Sequence, residues 1–131
     1  MQWVHLVIGL ALVEFFCFGF AVGAARGRYK IEAPATAGHP VFERYFRVHM
    51  NTLEQLLIFI PAALIFGMYL SPYVAAGLGV LFIVGRLVYF RSYVKDPAKR
   101  SAGFALSAIP NIILMLGAIF GAARAALLLH G

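Results

Sequence analysis

A handful of ionisable and polar side chains stand where the surrounding sequence makes them expensive. Glu14, Arg47, Glu54 and Arg86 fall within or at the edge of long apolar stretches, and Asn51 and Gln55 add neutral polar groups. A charge at the centre of a membrane-spanning helix costs about 2.5–3.5 kcal/mol on insertion scales, so such residues are candidates for chemistry. Arg47, Asn51 and Glu54 are spaced i, i+4, i+7 and share one helical face over two turns. Arg86, Tyr89 and Tyr93, spaced i, i+3, i+7, share a face of another helix. Arg100 falls in the expected first turn of a fourth helix, where the positive end of the helix dipole adds to the guanidinium. Such a lining suits a ligand with more than one carboxylate, an amine, and a group that needs activation. Arginines pair bidentately with carboxylates. Glu54 can take an ammonium or amide hydrogen, and tyrosines offer a hydroxyl on an aromatic body.

The same residues have plainer readings. Arg47–Glu54 or Arg86–Glu54 would also serve as an internal ion pair holding helices together, and Tyr89 and Tyr93 would also serve as interfacial belt residues. Glu14 stands alone on the first helix and reads as a pairing partner or a subunit contact. The single cysteine, Cys17, lies in an apolar run and reads as a small hydrophobe. No His or Cys pair has metal-ligand spacing, so no metal is expected.

The elements that must position these groups follow from composition. Of the 131 residues, 63% are hydrophobic and 12% charged, against roughly 45–50% and about 25% in soluble domains. A soluble protein of this size cannot hide that much apolar surface. A spanning helix needs about 20 apolar residues, so four of them fill most of the chain and leave only short loops. The expectation is an all-α integral membrane four-helix bundle with up-down topology and one domain over residues 1–131. Its helices are expected at about residues 3–26, 41–70, 73–94 and 97–129. The first span lacks the basic start of a signal peptide and is too long for its apolar core, so it reads as a retained helix. Residues 26–40, with Pro34, Gly38 and Pro40, read as a loop. Ser71-Pro72 reads as a turn, and Asp96-Pro97 as a cap followed by proline at the first helical position. Pro61 and Pro110 fall inside helices, where neighbouring helices can re-satisfy the freed carbonyls.

Charge orients the bundle. Arg26, Arg28, Lys30, Arg44 and Arg47 flank the first loop, and Arg91, Lys95, Lys99 and Arg100 the third; the other side offers only Arg124. By the positive-inside rule both basic loops face the cytoplasm and both termini face away. The net charge of +6 is therefore one-sided. It suits anionic lipid, and no nucleic-acid partner is expected.

The stretch Phe42-Glu43-Arg44-Tyr45-Phe46-Arg47-Val48-His49-Met50-Asn51-Thr52-Leu53-Glu54 resembles the helix-two signature of the MAPEG family, the membrane-associated proteins of eicosanoid and glutathione metabolism. Gly85-Arg86-Leu87-Val88-Tyr89-Phe90-Arg91-Ser92-Tyr93 resembles the helix-three signature. Arg100 follows Tyr93 by seven residues, as in the leukotriene C synthase and microsomal glutathione transferase branch. The likeness in length, spans and loop charge covers nearly the whole chain.

This resemblance implies a homotrimer with glutathione as co-substrate, held between neighbouring subunits near the cytoplasmic side. It implies a site lined by Arg26, Arg47, His49, Asn51, Glu54, Gln55, Arg86, Tyr89 and Tyr93, with Arg100 stabilising the glutathione thiolate. A free thiol has a pKa of about 8.5, and each unit by which an arginine lowers it is worth about 1.36 kcal/mol. The thiolate would attack a lipophilic electrophile dissolved in the membrane. Two positions depart from the family. Gly27 replaces a second arginine of the leukotriene-making relatives, and Gln55 replaces a tyrosine. The resemblance therefore implies a general detoxifying transferase, with reduction of lipid hydroperoxides as a side activity. Two other classes compete. One is a non-enzymatic lipid-presenting protein of the lipoxygenase-activating type, which lacks the arginines matching Arg47 and Arg100. The other is a small transporter subunit with Glu14, Glu54 and Arg86 along a polar path.

Overall fold

Proline and hydroxyl or imidazole caps start the inner helices, and the apolar runs carry them across. A computed structural model describes residues 1–130. It contains α1 (Gln2–Tyr29), α2 (Pro40–Tyr69), α3 (Pro72–Lys95), a single 3-10 turn (Pro97–Lys99) and α4 (Ser101–His130). All four α-helices are long and apolar enough to cross a membrane, and the protein is an integral, multi-pass helical bundle. At about 1.5 Å per residue, the 30 residues of α2 span about 45 Å, more than the hydrocarbon thickness, so part of α2 projects beyond it.

Two ends differ from the sequence expectation. The loop expected from residue 26 begins later: α1 continues to Tyr29, so Arg26 and Arg28 lie in its last turn. Lys30 stops it in the left-handed conformation, φ 55°. The α4 start is also displaced. Asp96 accepts from Ala98 N–H as expected of a cap, but closes only the 3-10 turn. The α-helix begins at Ser101, and the Arg100 carbonyl accepts from Phe104 N–H at 3.0 Å. Arg100 therefore precedes the first helical turn rather than lying in it, and the tighter turn ahead of it satisfies the Asp96 cap.

α2 and α3 form the centre, packed against each other and each against both α1 and α4. In the most apolar window only 22% of α1 and 17% of α4 residues are buried, against 39% in α2. The outer helices thus offer most of their surface to lipid or to another protein. In lipid the hydrophobic effect does not drive helices together, so close fit must. Phe59 and Phe82 stack at 4.3 Å across α2 and α3, in a core shared with Val4, Val7 and Leu114. Between α3 and α4 the fit depends on two glycines. A Cβ on Gly85 would lie 2.6 Å from the Leu106 carbonyl carbon, and one on Gly103 would strike the Tyr89 backbone.

The connections are tied down at one end of the bundle. His39 caps α2 by accepting from Val41 N–H through Nδ1 and stacks on Tyr29. Arg26 donates to the Ala35 carbonyl at 2.7 Å and lies over the Phe42 ring. Arg44 donates to the Val94 and Lys95 carbonyls, binding the start of α2 to the end of α3. At that end the loops converge with their basic residues.

Candidate functional site

Helical period alone brings Arg47, Asn51 and Glu54 to one face of α2, and the α3–α4 packing sets Tyr89, Tyr93 and Arg100 opposite. These six line one cavity of about 450 Å³, completed by Phe46 and Met50. A second recess of about 330 Å³ shares Asn51, Tyr89 and Arg100 and adds Ser101 and Phe104. These volumes lie within the usual range for small-molecule sites, about 300–1,000 Å³. Arg47, Glu54 and Arg100 are exposed, Asn51 and Tyr93 half-buried, and Tyr89 buried. Gly103 lets α4 approach Tyr89 closely, which carries Arg100 to the cavity rim. Arg100 also donates to the Pro97 carbonyl at 3.0 Å, leaving most of its donors free.

Arg86 is placed differently from the other predicted residues. It is 0% exposed and does not line the cavity. Its guanidinium donates to Ser107 Oγ at 3.1 Å, Asn51 Oδ1 at 2.8 Å and Thr52 Oγ1 at 2.8 Å, all neutral oxygens rather than the Glu54 carboxylate. It also lies over the Tyr89 ring at 4.4 Å. Each hydroxyl is committed: Thr52 donates to the Val48 carbonyl and Ser107 to carbonyls of its own helix. An arginine only donates, so the Asn51 oxygen must face it. The Asn51 amide nitrogen is then left for the cavity, where it supplies two N–H donors. Arg86 thus decides which end of Asn51 faces the cavity.

Three other predicted residues lie apart from this cavity. Gln55 turns toward α4, where Asn111 Nδ2 donates to its carbonyl and to its Oε1. His49 points from the other side of α2 and stacks on Phe15 at 4.5 Å. There it lines an apolar groove of about 660 Å³ with Phe15, Phe16, Gly19 and Phe20. Arg26 sits at the end of α1, over Phe42. The structure thus gathers six of the ten predicted residues in one cavity, places Arg86 behind it, and leaves Arg26, His49 and Gln55 elsewhere. Sequence reasoning missed Thr52, Ser107 and Asn111. Their signal was modest, because hydroxyl and amide side chains commonly return to their own helix backbone. Among the described residues no group of three or more His, Cys, Asp or Glu side chains is placed to hold a metal ion.

A four-helix membrane bundle with a cation-rich cavity at its basic end defines a class, and comparison with known proteins narrows it. The MAPEG family pattern matches residues 4–120, and the chain belongs to that family. It is 41% identical to microsomal glutathione S-transferase 2 of Homo sapiens over 103 residues, covering 78% of this chain and 70% of that protein. It is 40% identical to the uncharacterized protein sll1147 of Synechocystis sp. over 119 residues, 91% of this chain and 87% of the other. Leukotriene C4 synthase of Bos taurus is 29% identical over 115 residues, 88% of this chain and 75% of that protein.

Proposed function

We propose that this protein is a membrane-bound glutathione transferase that joins the glutathione sulfur to lipophilic electrophiles. One observation carries the reading: Arg47, Asn51, Glu54, Tyr89, Tyr93 and Arg100 line a single cavity. Family membership and the names of the relatives point the same way. The cavity's charges suit the tripeptide. Arg47 suits a carboxylate, Glu54 the α-ammonium, and the Asn51 N–H groups a second carboxylate or a peptide carbonyl. Tyr89 and Tyr93 flank the backbone of the ligand, and Arg100 faces the thiol.

The step then follows. The thiol S–H gives up its proton to solvent, and the Arg100 guanidinium holds the thiolate so formed. The sulfur electron pair makes the S–C bond to the electrophile. The displaced pair leaves with the departing group or, in an addition, moves to the neighbouring atom, which takes up a proton. A hydroperoxide offered in place of the carbon electrophile would be reduced to an alcohol and water, with two glutathione molecules giving up two electrons and two protons to become the disulfide.

Arg47 and Glu54 are exposed on the single chain although they stand on a membrane helix. Charges at membrane depth face a bundle interior or a water-filled cavity, and a second copy packed against this face would enclose them. Arg26 and His49, away from the cavity of their own chain, are then the residues a neighbouring copy contributes. We take the assembly to be a homotrimer with both basic loops on the cytoplasmic side. The aromatic groove beside His49 suits the apolar substrate.

Thiolate absorbs more strongly than thiol in the ultraviolet, so titrating the purified protein with glutathione at neutral pH tests the reading. Thiolate absorbance in the wild type should be lost in Arg100→Ala. An intact wild-type protein without that absorbance would sink the transferase reading and favour lipid presentation.

A further inference from the structure

Among the described residues three buried polar side-chain atoms lack a hydrogen-bond partner: Glu14 Oε1, Arg86 Nε and Asn111 Oδ1. Two of them belong to groups of opposite charge. The oxygens that Arg86 does reach are neutral, so its N–H geometry is served while its charge is not. A buried cation without compensation is strongly unfavourable, and more so where the surroundings are apolar. Glu14 lies on α1, which packs against α3: Val7 faces Gly79 and Phe18 stacks on Phe90 at 4.6 Å, and the same register sets Glu14 level with Arg86. The reaction described above makes no use of Glu14.

We propose that Glu14 is the counter-charge of Arg86 and thereby a positioning residue for the thiol site. A water shared between Glu14 Oε1 and Arg86 Nε would satisfy both atoms. With its charge balanced, Arg86 keeps the conformation that donates to Asn51 Oδ1, and Asn51 keeps its N–H groups toward the cavity. Influence therefore runs from α1 through α3 to α2: Glu14, Arg86, Asn51. The inference rests on the glutathione-transferase reading for what the cavity binds.

A double-mutant cycle on the full-length protein tests it, with glutathione affinity and thermal unfolding as the two readouts. Glu14→Leu should weaken glutathione binding about tenfold, within what coupled neighbours show. Glu14→Gln, which keeps the hydrogen-bonding shape, should lose less. In an Arg86→Met background, Glu14→Leu should cause no further loss. Equal losses in both backgrounds, or unchanged affinity in Glu14→Leu, would overturn the proposal. If Arg86→Met does not fold, Glu14→Asp decides: recovered affinity supports the counter-charge, and a loss as deep as in Glu14→Leu refutes it. If the wild type forms no thiolate, the transferase reading has failed on its own. The pairing is then judged by unfolding temperature, where non-additive shifts uphold it and additive shifts sink it.

Discussion

Asn51 shows how much one orientation decides. Its two ends differ chemically, and only the donor-only neighbour Arg86 makes the choice between them. Replacing it by Asp tests this reasoning. Asn51→Asp would pair a carboxylate with Arg86, so thermal stability should hold or rise. The cavity would lose two donors and gain a negative charge. Glutathione affinity should fall by about ten- to hundredfold, the range expected when a buried polar group loses its partner. Unaltered affinity would mean that Asn51 does not meet the ligand. Arg100 is the complementary case: exposed, lightly tethered, and set at the rim. If it lowers the thiol pKa by one to two units from about 8.5, Arg100→Ala should reduce thiolate at pH 7 by about eight- to twenty-five-fold.

The helices meet closely only where a side chain is missing. Gly103 lies against the Tyr89 backbone, and Gly85 against the Leu106–Ser107 peptide. These approaches hold Arg86 within reach of Ser107 and Arg100 within reach of the cavity. Gly103→Val would force α3 and α4 apart, since the obstructing atoms are backbone and cannot rotate away. Overpacking of this kind costs about 1–3 kcal/mol. A lower unfolding temperature together with weaker glutathione binding is the expected outcome, measured by thermal unfolding and glutathione titration. Gly77, with open space around it, is the control: Gly77→Ala should leave both unchanged.

Viewed whole, the chain divides the residues expected of its site between separate faces. Six residues converge in one cavity, while Arg26 and His49 face away from it. If copies complete each other, defects on the two faces should complement. Arg26→Ala and Arg100→Ala subunits should each be inactive alone. Co-expressed, they should regain part of the activity, because some sites combine an intact Arg100 with a neighbour's intact Arg26. Mixed assemblies as inactive as their parents would place both arginines in the same subunit's site, and an Arg26→Ala protein active on its own would place Arg26 in none.

The class of fold was legible in the composition, which by itself forces these apolar runs into lipid. So was the face shared by Arg47, Asn51 and Glu54, since a helix repeats every 3.6 residues whatever packs around it. The same periodicity could not say that Arg86 turns inward to neutral oxygens while Tyr89, one turn on, lines the cavity. That depends on which neighbours α4 presents, Ser107 above all, and hence on how closely two glycines let the helices approach. Nor could it place Arg26 and His49 on a different face from Arg100. Residues far apart in a chain acquire a common side only when the helices carrying them are packed, and packing is decided by tertiary structure.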